Sequence, residues 1–198
     1  MTGVRTKLLR HPALCESAQE LEKHLGHWIG ATAPAQLIEW IDEASLGLLC
    51  DAFLEAGGCE GTIWLFDEKA GDLVAVYNSG EDAGALVGFR QPLGQGIISL
   101  VFVQQQPYCE NEIQTSEGYD DTLDRKISKH TTAMIAVPFY FGFGLRGVIS
   151  CVQLKEARRT REGFRFADVE TLSRVVNLVE RLINESLLSS ALGFHDGV

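Results

Sequence analysis

No stretch of this sequence has the unbroken run of about 20 apolar residues that a membrane-spanning helix requires. Its first fifteen residues, MTGVRTKLLRHPALC, lack the apolar core of a secretory signal. A cytoplasmic protein with no membrane partner is expected. Basic charge is scarce too: 17 Lys and Arg stand against 27 Asp and Glu, a net charge of −10. The densest basic cluster, Arg158-Arg159-Thr160-Arg161, reads as a solvated turn. Binding nucleic acid by counterion release needs a positive face, so no nucleic-acid partner is expected. The five cysteines are odd in number and scattered, without a Cys-x-x-Cys pair or a histidine at ligand spacing. That pattern fits neither a zinc site nor a disulfide framework. Cys50 and Cys151 lie in apolar patterns and read as core thiols, whereas Cys59 and Cys109 border turns or strand ends. His24 and His27 stand three apart without a third ligand nearby. The acidic stretch 110–121 lacks the alternating Asp-x-Asp-x-Asp-Gly of a calcium loop, so no metal is expected. The sequence shows no internal repeat and no kinase, cyclase or helix-turn-helix signature.

What is present is enough apolar content, 45% of 198 residues, for one sizeable α+β core. Two β-rich runs, Met134–Phe141 and Val148–Leu154, flank the Gly-rich turn Gly142–Gly147 and predict a hairpin of central strands. Pro138 cannot donate to a ladder, so the first strand must have a bulge, an edge or an unpaired position there. Helical spacing appears at Ser17–Ile29, at Ala35–Ala56 up to the pair Gly57-Gly58, and at Phe166–Leu188. Between them, Gly61–Asp67 and Leu73–Asn78 predict a second hairpin, and Ala85–Arg90 another strand. Ile97–Val103 is β-branched. The preceding Gly94-Gln95-Gly96 and the following Gln104-Gln105-Gln106-Pro107 nevertheless predict a short buried helix; its free N–H groups would favour an anion, but the simpler reading is that Gly94 and Gly96 only allow a tight turn. A polar connection then leads to a short helix at Thr122–Lys129; long connections of this kind are often functional.

Four signposts in order, Leu93-Gly94-Gln95-Gly96-Ile97-Ile98, Gln106-Pro107-Tyr108-Cys109, Ala133–Pro138 and Gly147-Val148-Ile149, resemble those of GAF domains over roughly residues 36–190. The resemblance implies a six-stranded antiparallel sheet, related to the profilin and PAS folds. The N- and C-terminal helices would cover one face and a small-molecule pocket would lie on the other. It also implies a sensory or regulatory role in signal transduction. Cyclic-nucleotide-binding members carry an Asn-Lys…Phe-x-x-x-Asp-Glu pattern; Lys155, Phe164 and Asp168 match it, but Leu154 and Val169 replace its Asn and Glu. The branch resembling free methionine-sulfoxide reductases needs a second thiol near the first, and the loop region has Cys109 alone.

The expected organisation is a helical extension over 1–34, the GAF-like domain over 35–190 and a flexible tail over 191–198. For a ligand of unknown identity, Trp64 and Phe89 would supply stacking surface beside Ile97 and Ile98. Asn111, Asp120, Asp121, Thr131 and Thr132 would supply polar anchors. Val169, Leu172, Val176, Val179 and Ile183 recur at intervals of 3 and 4. With Ile38, Ile41 and Leu48 they predict a helical homodimer interface. The expected function is a non-enzymatic sensor signalling to a separate protein; a thiol-dependent reductase and a ligand-free dimerisation scaffold are the alternatives.

Overall fold

A computed structural model of the chain describes residues 12–116, 119–157 and 161–192. Expectations for the first eleven residues, for Arg158–Thr160 and for the tail beyond 192 lie outside these. The elements run α1 (Pro12–Ala31), α2 (Pro34–Leu37), a 3-10 turn (Ile38–Trp40), α3 (Glu43–Glu55), β1 (Glu60–Asp67), β2 (Asp72–Asn78), α4 (Ala83–Leu86), β3 (Arg90–Pro92) and α5 (Gly96–Gln104). They continue with β4 (Tyr108–Glu110), a 3-10 turn (Ile113–Thr115), α6 (Thr122–Ile127), β5 (Thr131–Phe141), β6 (Gly144–Leu154) and α7 (Phe166–Ala191). The strands form one sheet in the order β3-β2-β1-β6-β5-β4, and every neighbouring pair is antiparallel.

Because strand side chains alternate between faces, the sheet separates two cores. Ile63 and Leu65 of β1, Ile135, Val137 and Phe139 of β5, and Ile149 and Cys151 of β6 pack with Leu49, Phe53, Leu172, Val176, Val179 and Ile183 from α3 and α7. The intervening residues Trp64, Ala136 and Val148 point the other way and pack with Leu86, Ile97, Ile98 and Val101 from α4 and α5. At Gly147 the strands need bare backbone: a Cβ there would lie 1.8 Å from the Trp64 carbonyl oxygen.

Several expectations are corrected. The helix predicted over Ala35–Ala56 is broken at Ile41, because Asp42 caps a new helix by accepting from the Ser45 N–H at 2.7 Å. Ala85–Arg90 is a helical turn and a loop leading into β3 rather than a strand. The hairpin loop is two residues, Gly142-Phe143, both at positive φ, with Phe141 paired to Gly144. That is the turn whose twist suits a right-twisted hairpin. The periodic residues expected at a dimer interface are largely this chain's own core: Ile41, Leu172, Val176, Val179 and Ile183 are buried against the sheet and neighbouring helices, and Ile38 and Val169 are half-buried. Leu48 is exposed, as are Leu178 and Leu182 on α7.

Pro138 lies on β5 beyond the stretch paired to β4, which ends at Ala136. The edge is closed by α7. Tyr140 N–H donates to Glu180 Oε1 at 2.7 Å and Gly142 N–H donates to Asn184 Oδ1 at 2.7 Å. With Pro138 lacking an N–H, every second residue of the bare edge is without a free donor, which suppresses pairing with a foreign strand. The segment expected as a helical extension, α1, meets the body near its C-terminal end: Ile29 is buried beside Gly142, where a Cβ would come within 1.8 Å of Ile29 Cδ1. Lys69 Nζ also donates to the α1 carbonyl of Ala31.

Candidate functional site

The face of the sheet away from α3 and α7 carries a cavity. Its floor is Glu60, Thr62 and Trp64 of β1, Met134 of β5, and Ser150 and Val152 of β6; its walls are Leu86, Gln91 and the start of α5 at Gly96, Ile97 and Ile98. Its roof is Tyr119, Asp120, Leu123, Asp124 and Ile127, in and just before α6. The free space is about 60 Å³, room for a few waters and well below the roughly 300–1,000 Å³ of small-molecule sites. The chain's own side chains nearly fill the space.

The lining is mostly apolar, with buried polar groups in it and just behind it. Trp64 Nε1–H donates to Ser150 Oγ at 3.1 Å, and Asn78 Nδ2–H donates to Thr62 Oγ1 at 3.0 Å. Lys129 Nζ bridges Glu60 (2.9 Å) and Asp82 (3.0 Å). Burial opposes the lysine's charge, but these two carboxylates outweigh it and raise its pKa. Each such group is costly to bury unless bonded, and here each is bonded.

Polar contacts hold the roof to the body. Gln91, buried in β3, donates from Nε2 to the Gln95 carbonyl (3.0 Å) and to Asp120 Oδ2 (3.1 Å). Asp120 also accepts from Thr122, which holds its carboxyl below the ordinary range, with Gln91 adding to the effect. Asp124 accepts from Thr131 N–H (2.6 Å) and Thr131 Oγ1–H (2.8 Å) and bonds the Tyr119 hydroxyl. Burial and that carboxylate push the Tyr119 phenol up.

Of the expected ligand residues, the cavity brings together Trp64, Ile97, Ile98, Asp120 and Thr131. Phe89 stands behind Trp64, edge to face at 6.3 Å, with Lys126 Nζ 5.3 Å from its ring centre. Asp121 pairs with Arg125. Thr132 donates to the Gln153 carbonyl, and Asn111 bonds the Phe164 backbone; both lie outside the cavity. Sequence reasoning missed Glu60, Thr62, Gln91, Tyr119, Asp124 and Ser150. Strand alternation through Trp64 would have placed Glu60 and Thr62 on its face.

Of the two readings of Gly94 and Gly96, a plain tight turn or an anion site at the start of α5, the lining favours the first. Glu60, Asp120 and Asp124 line the cavity and, among the described residues, no Lys, Arg or His does; Lys129 offsets Glu60 from outside the lining, but Asp120 sits beside the first residue of α5. Like-charge repulsion therefore favours a neutral or cationic group. No cysteine lines the cavity. Cys109 pairs in register with Ile135, packs against the α3/α7 core, and its thiol is pushed up by burial, then by Glu110 and Asp168. Asp168, the acid matching the cyclic-nucleotide pattern, pairs with Arg161 at 2.5 Å while Lys155 is exposed.

Among the described residues no helix is long and apolar enough to cross a membrane. No protein-family model matches the sequence, and a search of curated proteins finds no match. Solved structures do match. The GAF domain of a phosphoenolpyruvate-protein phosphotransferase from Coxiella burnetii aligns over 89% of this chain and 96% of its own, with a TM-score of 0.58 and 19% identity. The GAF domain of a two-component sensor histidine kinase from Bacillus halodurans aligns over 76% and 99%, at 0.57 and 13%. A free methionine-R-sulfoxide reductase from Neisseria meningitidis, in complex with its substrate, aligns over 96% and 99%, at 0.56 and 15%. The six-stranded antiparallel sheet, the helix-covered face and these likenesses together establish that the chain has the fold of a GAF domain.

Proposed function

We infer that this chain is a sensory or regulatory module in signal transduction that takes up a small molecule beneath α6 and signals through α3 and α7 to a separate protein. The observation that carries this reading is the cavity's construction. Buried hydrogen-bonding side chains face a mostly apolar space, and the roof over it combines the apolar packing of Tyr119, Leu123 and Ile127 with polar side-chain contacts that a ligand can replace. With about 60 Å³ free, a ligand larger than a few atoms enters only as the roof shifts. Ligand then favours the open arrangement by its difference in affinity for the two. Neighbours from a sensor kinase and a chemotaxis protein support the signalling role by analogy of fold.

The same small volume favours a second reading, a ligand-free scaffold. In either case a homodimer would use the exposed Leu48, Leu178 and Leu182 rather than the buried seam. Native mass spectrometry of the full chain purified from cells tests both. The expected result is a dimer carrying a small-molecule mass that Trp64→Ala abolishes. A bare dimer that no member of a metabolite set stabilises thermally refutes the sensor and leaves the scaffold; a bare monomer refutes both.

A further inference from the structure

The edge strand β4 and the residues following it touch both layers of the sheet. Cys109 packs in the α3/α7 layer. Ile113, four residues on, is fully buried in the cavity-side core with Trp64, Ile97 and Ile98. Between them, Asn111 applies its side-chain amide to a single backbone residue: Oδ1 accepts from Phe164 N–H at 2.7 Å and Nδ2–H donates to the Phe164 carbonyl at 2.9 Å. The neighbouring Gly163, at φ +70°, leaves the room this needs, since a Cβ there would come 3.0 Å from Asn111 Oδ1.

Phe164 belongs to a network that grips the ends of both covering helices. Gln153, fully buried, accepts from Gly163 N–H at 2.9 Å and donates to the carbonyls of Gly163 (3.2 Å) and Gly57 (2.9 Å). Asp168, in the first turn of α7, accepts from Arg165 N–H at 2.6 Å and pairs with Arg161, whose guanidinium also donates to the Ala56 carbonyl ending α3. Backbone hydrogen bonds also lead from this segment toward the roof. Ser116 N–H donates to the Ile113 carbonyl (3.2 Å), and Tyr119 N–H donates to the Ser116 carbonyl (3.1 Å). Tyr119 then bonds Asp124 in α6.

We propose that Asn111 is a positioning residue that couples the roof of the cavity to the first turn of α7 around the sheet edge. Its functional meaning rests on the sensor reading, but its physics does not. Two layers that share a packed and hydrogen-bonded segment at the sheet edge, besides the sheet itself, respond to each other, and such coupling is reciprocal. Asn111 carries no charge and its amide makes both hydrogen bonds to the Phe164 backbone, so Asn111→Ala removes those bonds on the α7 side while the packing of Cys109 and the burial of Ile113 stay in place.

Hydrogen exchange on the full chain, with no ligand added, tests this. Asn111→Ala is expected to speed exchange roughly fivefold at residues 166–172 and also at the roof amides 122–129, with the β2 amides unchanged. Asp120→Ala is expected to loosen the roof and speed 166–172 in the native background but not in the Asn111→Ala background. Roof amides that stay unchanged in Asn111→Ala, or an equal α7 response to Asp120→Ala in both backgrounds, overturn the proposal, because a purely local staple gives that result. Should Asn111→Ala speed exchange everywhere, Asn111→Asp decides: it keeps the acceptor for Phe164 N–H, and a uniform rise in that variant overturns the coupling as well. A cavity that binds nothing would defeat the sensor reading without altering any of these rates.

Discussion

Glu180 offers a sharp test of how α7 is attached. Its carboxylate reaches from the helix to the bare edge of β5 and accepts from Tyr140 N–H. Burial lifts its pKa from an ordinary 4.5 to about 7, despite that hydrogen bond. In the unfolded chain the group is ionised above about 4.5, whereas in the folded chain it holds its proton until pH 7. Between those values the folded state binds more protons, so stability is greatest below 4.5 and falls as pH rises through 7. Taken in full, that rise in pKa would be worth roughly 3 kcal/mol. Solvent screening of a carboxyl that keeps part of its surface in water reduces this to about 1–2 kcal/mol. Glu180→Gln keeps an acceptor for Tyr140 N–H without the charge. It is expected to match the native protein near pH 4.5 and to be about 1–2 kcal/mol more stable at pH 8, read by urea unfolding at both pH values. An equal effect of the substitution at the two pH values would refute the assignment of the strain to charge burial at the β5 edge.

Three further outcomes are expected. Gly147→Ala should lose about 3 kcal/mol in urea unfolding, because its Cβ meets the β1 backbone at Trp64, which cannot rotate away; a loss under 1 kcal/mol would mean that the two strands separate more easily than their pairing suggests. Phe143→Gly should gain about 1 kcal/mol, since Phe143 is half exposed and held at φ +65°. An unchanged or lower unfolding midpoint would show that its ring contributes more than the turn costs. Leu178→Asp combined with Leu182→Asp should convert a dimer to a monomer in sedimentation velocity with an unaltered circular dichroism spectrum, as both side chains are exposed on α7; a surviving dimer places the interface elsewhere.

The long terminal helix and the helix at Ile97 were legible in the chain itself, because the 3-4 spacing of Leu172, Val176, Val179 and Ile183 and the Gly94-Gln95-Gly96 turn are local signals. So was the main hairpin, whose strands lie next to each other in sequence. Local signals also misled where two of them competed. Ile38, Ile41 and Leu48 suggested one continuous helix, but Asp42 between them caps a fresh one. In Ala85–Arg90 the apolar run suggested a strand, whereas the backbone turns so that Leu86 reaches the cavity-side core and Ala75 exchanges hydrogen bonds with Gly88 and Phe89.

The sequence by itself thus determined the antiparallel α+β class and the elements whose periodicity lies within a few residues. Only the tertiary structure decided what the exposed and polar positions do. Glu60 and Lys129, Trp64 and Ser150, and Asn111 and Phe164 are 69, 86 and 53 residues apart; strand register brings the second pair within reach, and the packing of connections against the sheet brings the other two. The same register turned the heptad seam of α7 inward. A stripe of apolar residues has the same pattern whether it meets a second copy or its own sheet, and the burial of that stripe is a property of the folded chain alone.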